Sequence, residues 1–178
     1  MGKKTISFGL SEEDIDRAIR ELEHYKQEIV KKTELLREKV AQRLADEADQ
    51  GFAQAVSDTI ISTGGLVSEL HSNVDVSVDN RGSVTVVIAN GEDAVWIEFG
   101  SGVYYNGSPG TSPHPSGAEL GMTIGGYGLG HGKQSVWGYY DETHNLVLTH
   151  GAPATMPMSK AITTVLNEIS SIAKEVFG

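Results

Sequence analysis

The sequence contains no cysteine, so neither a disulfide framework nor a thiolate metal site can be built from it, and any metal would have to rest on histidine and carboxylates. Apolar runs are short. None approaches the roughly 18 consecutive residues that a membrane-spanning helix needs, and Met1-Gly2-Lys3-Lys4-Thr5 is followed by no apolar stretch of the secretory type. Cytosolic folding is the expectation. Basic residues are also scarce, 14 Lys and Arg against 24 Asp and Glu, for a formal charge of −10. Such a chain repels a phosphate backbone, which argues against sequence-reading nucleic-acid binding.

What charge there is lies unevenly. Residues 1–50 hold 10 basic and 12 acidic residues, while residues 51–178 hold 4 and 12, a net of −8. The chain therefore divides into a charged segment, 1–50, and an α+β domain, 51–178. Glycine is abundant, at 21 of 178 residues against a usual share of about 7%.

Ser11 followed by Glu12, Glu13 and Asp14 has the chemistry of a helix start, with a side-chain cap and acids complementing the positive end of the helix dipole. Ile15, Leu22, Ile29 and Leu36 then recur every seven residues, with Ile19, Thr33 and Val40 as a weaker companion row interrupted by Lys26. This narrow stripe stops near Gly51 and predicts a helix of about 39 residues, roughly 58 Å long. Its outer part overreaches a small domain and is a candidate surface for association. Residues 52–71 read as a short helical continuation broken by Gly64-Gly65.

From Val74 the period changes to two. Val74, Val76 and Val78 alternate with Asp75, Ser77 and Asp79; a turn at Asn80-Arg81-Gly82 follows, and Val84, Val86 and Ile88 continue the alternation. Residues 101–132 form a long Gly/Pro-rich loop. A second hairpin is expected from 135–140 and 145–149. Pro157 to Phe177 reads as a helix with Ile162, Val165, Leu166, Ile169, Ile172, Ala173 and Val176 on one face. The predicted architecture is α+β: a long N-terminal helix, a small antiparallel sheet built from two hairpins, and a C-terminal helix packed on the sheet.

Catalytic constellations are missing from this pattern. The run Gly125 to Gly132 satisfies neither GxGxxG nor GxxxxGK[ST] and does not join a strand to a helix start. Ser101 lacks the strand-to-helix elbow of a nucleophile. Four of the six histidines, His114, His131, His144 and His150, fall close together in sequence, with Glu98 and Asp141 as potential carboxylate partners, and this keeps a metal-dependent hydrolase as the alternative class. No HxH or HExxH spacing occurs among them, so solvated imidazoles are the simpler expectation. A cytosolic adaptor dimerising through an N-terminal coiled coil is a third.

The segment Ala94-Val95-Trp96-Ile97-Glu98-Phe99-Gly100-Ser101, followed after a long insert by His150-Gly151-Ala152-Pro153-Ala154-Thr155-Met156-Pro157-Met158-Ser159-Lys160-Ala161, resembles the tail-component (neck or tail-completion) protein family of long-tailed bacteriophages. Trp137 to Glu142 and Gly65-Leu66 fit the same likeness, which covers about residues 40–176. Met156-Pro157-Met158 stands where an aromatic after the proline is usual, and the 101–132 loop is longer. Trp96, Ile97 and Phe99 are expected to pin their segment onto the sheet, with Gly100 allowing a sharp exit and Pro153 and Pro157 stiffening the entry to the last helix. The resemblance implies a structural virion subunit, assembled in the host cytoplasm without catalytic residue, metal or cofactor. It implies a homo-oligomeric ring, six-fold with twelve-fold as the alternative, bound to head connector or stopper proteins and to tail terminator or tail tube proteins, with DNA passing through. Ile15, Leu22, Ile29, Leu36, Tyr104, Tyr105 and Tyr127 are the candidate interface residues.

Overall fold

A computed structural model describes residues 5–62, 74–91, 93–100, 114–117, 119–120, 137–140, 144, 146–149 and 154–178. Helix α1 spans Glu12–Ser62, hairpin strands β1 and β2 span Asp75–Arg81 and Val84–Asn90, a short helix α2 spans Ala94–Phe99, strands β3 and β4 span Trp137–Tyr140 and Leu146–Thr149, and helix α3 spans Pro157–Phe177. The class is α+β, as the sequence pattern predicts. Each hairpin is its own two-stranded antiparallel ladder. Among the described residues no helix is long and apolar enough to cross a membrane.

α1 starts as its first turn dictates. The Ser11 hydroxyl oxygen accepts the Asp14 backbone N–H at 3.2 Å and donates to the Asp14 carboxylate at 2.7 Å, and Glu12, Glu13 and Asp14 sit against the positive end of the dipole. The helix then runs for 51 residues, about 76 Å, straight through Gly51. The helical continuation expected beyond Gly51 is unbroken as far as Ser62. A Cβ at Gly51 would lie 2.8 Å from Pro157 Cβ and 3.2 Å from Pro157 Cα, so α1 and the start of α3 come too close at the glycine for a side chain.

In an open helix interior, Gly→Ala gains up to about 1 kcal/mol. Here the sign should reverse. Gly51→Ala is expected to destabilise the protein by about 1–3 kcal/mol, because the added methyl collides with the backbone and ring of Pro157 rather than with a movable side-chain tip. Urea unfolding followed by circular dichroism checks it; a stabilised variant would refute the close approach.

From that crossing α3 runs back antiparallel along α1. The order of contacts fixes the register: Pro157 against Gly51, Glu168 bidentate to Arg43 at 2.8 and 3.2 Å, Glu175 to Lys39 at 3.0 Å, and Lys32 Nζ 5.9 Å from the Phe177 ring centre. The hydrogen bond to Arg43 holds the Glu168 carboxyl below its ordinary range, and Glu168 with Glu47 raises the guanidinium in turn. Ala161, Val165 and Val176 of α3 are buried, as are Ala41, Ala45 and Ala48 of α1. Alanine on α1 lets the neighbouring elements approach closely.

Ile162, Leu166 and Ile169, expected on the buried face of α3, are exposed instead. They lie on one shoulder of the helix, beyond the width that α1 covers.

The first hairpin closes the other side of the core. Arg81 pairs with Val84, so the loop is Gly82-Ser83, with Gly82 at φ 65°, a conformation that favours glycine. This register sets Val76 beside Ala89 and Val78 beside Val87. Val74, Val76 and Ala89 pack on Phe52, Ala94 and Ile97, together with Met158. Val84, Val86 and Ile88, whose alternation suggested a buried row, therefore share the opposite face with Arg81, Asp79 and Ser77, and Val84 is exposed.

Candidate functional site

The residues carrying the sequence likeness converge at the joint between α2 and α3. Residues Ala94–Phe99 form a helical turn and a half, whose buried Ala94 and Ile97 share a core cluster with Val76 and Ala89 of the first hairpin. Helical spacing puts Ala94, Ile97 and Glu98 on one face, and all three are buried, while Val95 and Trp96 point outward. Trp96 does not fill the core as expected; Ile97 does. Gly100 follows at φ 82° and ψ 167°, a backbone region open essentially to glycine alone, and turns the chain out of the helix.

Glu98 is the buried charge of this joint. One of its oxygens, Oε2, accepts the Met158 backbone N–H at 2.8 Å. The other, Oε1, accepts the Ser159 backbone N–H at 2.9 Å and lies 2.9 Å from His114 Nε2. The two N–H groups belong to the first turn of α3, where backbone donors have no partner within the helix and the dipole is positive. Met156, at the N-cap position, offers no side-chain acceptor and is held at φ 56° and ψ 49°, left-handed for a residue with a side chain. Pro157 at the first helical position has no N–H to satisfy. Glu98 thus caps α3 from 60 residues away.

Thr155 adds a second tie. Its N–H and its hydroxyl both donate to the Ile97 carbonyl, at 3.0 and 3.2 Å, taking up an acceptor at the C-terminal end of α2. The entry to α3 is therefore sewn to α2 at two points, with Thr155, Met158 and Ser159 donating and Ile97 and Glu98 of α2 accepting.

His114 was expected to be a solvated imidazole, but its side chain is only 10% exposed and that of Glu98 only 8%. The Ser116 backbone N–H donates to Nδ1 at 3.0 Å. Nδ1 is then an acceptor, so the proton sits on Nε2 and is donated to Glu98. The imidazole also lies against the Phe99 ring, with centres 4.3 Å apart. Both ring nitrogens being engaged, His114 offers no lone pair to a metal in this arrangement. His144 stands apart in an exposed turn at φ 63°. Among the described residues no group of three or more His, Asp or Glu is placed to hold a metal ion.

Tyr104, Tyr105, Tyr127, Pro153, His131, His150, Ser101, Asp141 and the Gly125–Gly132 run lie outside the described residues. Of the α1 interface candidates, Ile15 and Leu22 are exposed, while Ile29 and Leu36 are half-buried. Sequence reasoning missed the roles of Thr155, Ser116 and the Met158 and Ser159 N–H groups, for which a sequence carries no signal beyond the proline that marks the helix start. No protein-family model, no curated protein and no solved structure matches this chain.

Proposed function

We propose that this chain is a structural virion subunit of the kind it resembles, a neck or tail-completion protein of a long-tailed bacteriophage, acting through shape and interfaces and not as an enzyme. In this reading it forms a homo-oligomeric ring between head connector and tail, and DNA passes through the ring unbound. The observation that carries it is the Glu98 joint. The two segments responsible for the likeness meet in space, and what their residues do there is mechanical: Glu98 caps α3, Thr155 ties α3 to α2, and Gly100 and Pro157 set the entry and exit angles.

Two further features support it. α3 reaches only to Lys32 along α1, so residues 12–31 extend about 30 Å beyond it, an arm suited to reaching a neighbour. The net −8 of residues 51–178 would keep DNA from adhering to a channel lined by that domain.

Native mass spectrometry and electron microscopy of the purified chain, alone and mixed with head connector and tail proteins, test the proposal. Closed rings of one subunit number, six-fold first, are the expected result. A chain that stays monomeric under every one of these conditions removes the ring reading.

A further inference from the structure

Two apolar stripes of equal pitch remain uncovered on the described surface. Ile15, Ile19 and Leu22 are spaced i, i+4, i+7 on the arm of α1, and Ile162, Leu166 and Ile169 repeat that spacing on the shoulder of α3. Leu22, at the inner end of the first stripe, is 55% exposed, and Leu166, at the centre of the second, 62%. Resting on the ring-subunit reading, we infer that these stripes are the two halves of one interface, the α1 arm of each copy lying along the α3 shoulder of the next.

Geometry forbids the contact within one chain. Phe177 is level with Lys32, so Leu22 lies about 15 Å beyond that point along α1 while Ile169 lies about 12 Å before it along α3, a separation of some 25 Å or more. The stripes can meet only between copies. Different patches on the two partners make the contact heterologous, which is the kind that closes into a ring when the rotation allows.

Charge selects the same pairing. Between Glu12 and His24 the arm carries six acids and two arginines, a net of −4 without the histidine. On α3 both acids are already engaged, Glu168 by Arg43 and Glu175 by Lys39. The rim of its exposed stripe is Ser159, Thr163 and Ser170, with Lys174 and Lys160 following round the helix. An acidic arm therefore meets a rim without acids, whereas two arms side by side would set like charges against each other. The precedent is intramolecular: Leu36 and Val40, further along the α1 stripe, are half-buried in the stretch where α3 runs alongside.

The cysteine-free sequence gives a clean test. Leu22→Cys and Leu166→Cys full-length proteins are oxidised separately and as a mixture, and the double variant is oxidised alone. The mixture should give a disulfide-linked heterodimer, the double variant a ladder ending at the ring mass, and neither single variant a homodimer. Leu166→Asp should weaken self-association roughly tenfold or more while leaving the helical circular dichroism unchanged, since the residue is exposed in the subunit.

Rings that assemble without the cross-link overturn this interface and leave the ring reading intact. A homodimer of Leu22→Cys alone also overturns it, in favour of paired arms. A chain that is monomeric at every concentration and with its head and tail neighbours overturns both.

Discussion

Glu98→Ala is expected to lower the free energy of unfolding by about 3–5 kcal/mol, a large share of the 5–15 kcal/mol that holds a domain of this size together. The reason is what the carboxylate leaves behind. Met158 and Ser159 would keep half-buried N–H groups without this acceptor, at about 1–3 kcal/mol each, and His114 would lose the acceptor for its Nε2 proton. The positive end of a 21-residue helix would also lose its counter-charge. Glu98→Gln separates charge from shape: the side-chain volume stays, yet one acceptor oxygen becomes an NH2 facing donors. About half the alanine loss is expected. Urea titration gives both values, and amide exchange at Met158 and Ser159 localises them. A loss under about 1 kcal/mol in the alanine variant would show that the carboxylate does not anchor α3.

Glu98 also shows why sequence reading stops where it does. In the linear chain it stands between Ile97 and Phe99, and an isolated glutamate among apolar residues reads as the outward position of an extended segment. Only when Ala94–Phe99 is known to be helical do Ala94, Ile97 and Glu98 fall on one buried face. That helix is hard to foresee, because six residues with a valine, an isoleucine and two aromatics cannot sustain one without tertiary support. The support comes from Phe52 on α1 and Thr155 before α3, neither of them nearby in sequence.

Elements decided by their own residues were legible. α1 begins at its serine cap and acidic turn, α3 spans Pro157–Phe177 as the apolar spacing required, the first hairpin forms where the period changes to two, and the second lies within the segments expected for it. Features decided by contact were not. Gly51 reads as the end of the stripe because its missing Cβ has no visible purpose until Pro157 is seen against it. The inward face of β2 could not be chosen because Val84, Val86 and Ile88 are as apolar as Val87 and Ala89; the two-residue loop at Gly82 chose it. The α3 stripe exposed at Ile162, Leu166 and Ile169 was counted as core because periodicity reports how apolar a face is, not how much of it a neighbour covers.

The register of α1 against α3 leads to the largest effect, a difference between two truncations. Removing residues 1–25 takes away the outer arm, where among the described residues only Ala18 is buried, and should change the stability of the remaining domain by about 1 kcal/mol or less. Removing residues 1–45 should abolish cooperative folding altogether. That cut deletes buried Ala41 and Ala45 and the Lys39 and Arg43 partners of α3, and strips the outer half of α3 of the helix it lies on. Val165 and Val176 would be returned to water, at about 1.5–3 kcal/mol for each fully buried side chain, with the alanines adding to the loss. Thermal melts by circular dichroism distinguish the outcomes: one sharp transition for the shorter truncation, none for the longer. The pair also separates arm from domain in assembly. If the α1 arm supplies one half of the ring contact, the protein lacking residues 1–25 stays folded but monomeric, and it should bind the Leu22→Cys full-length chain through its intact α3 shoulder, capping growth rather than propagating it.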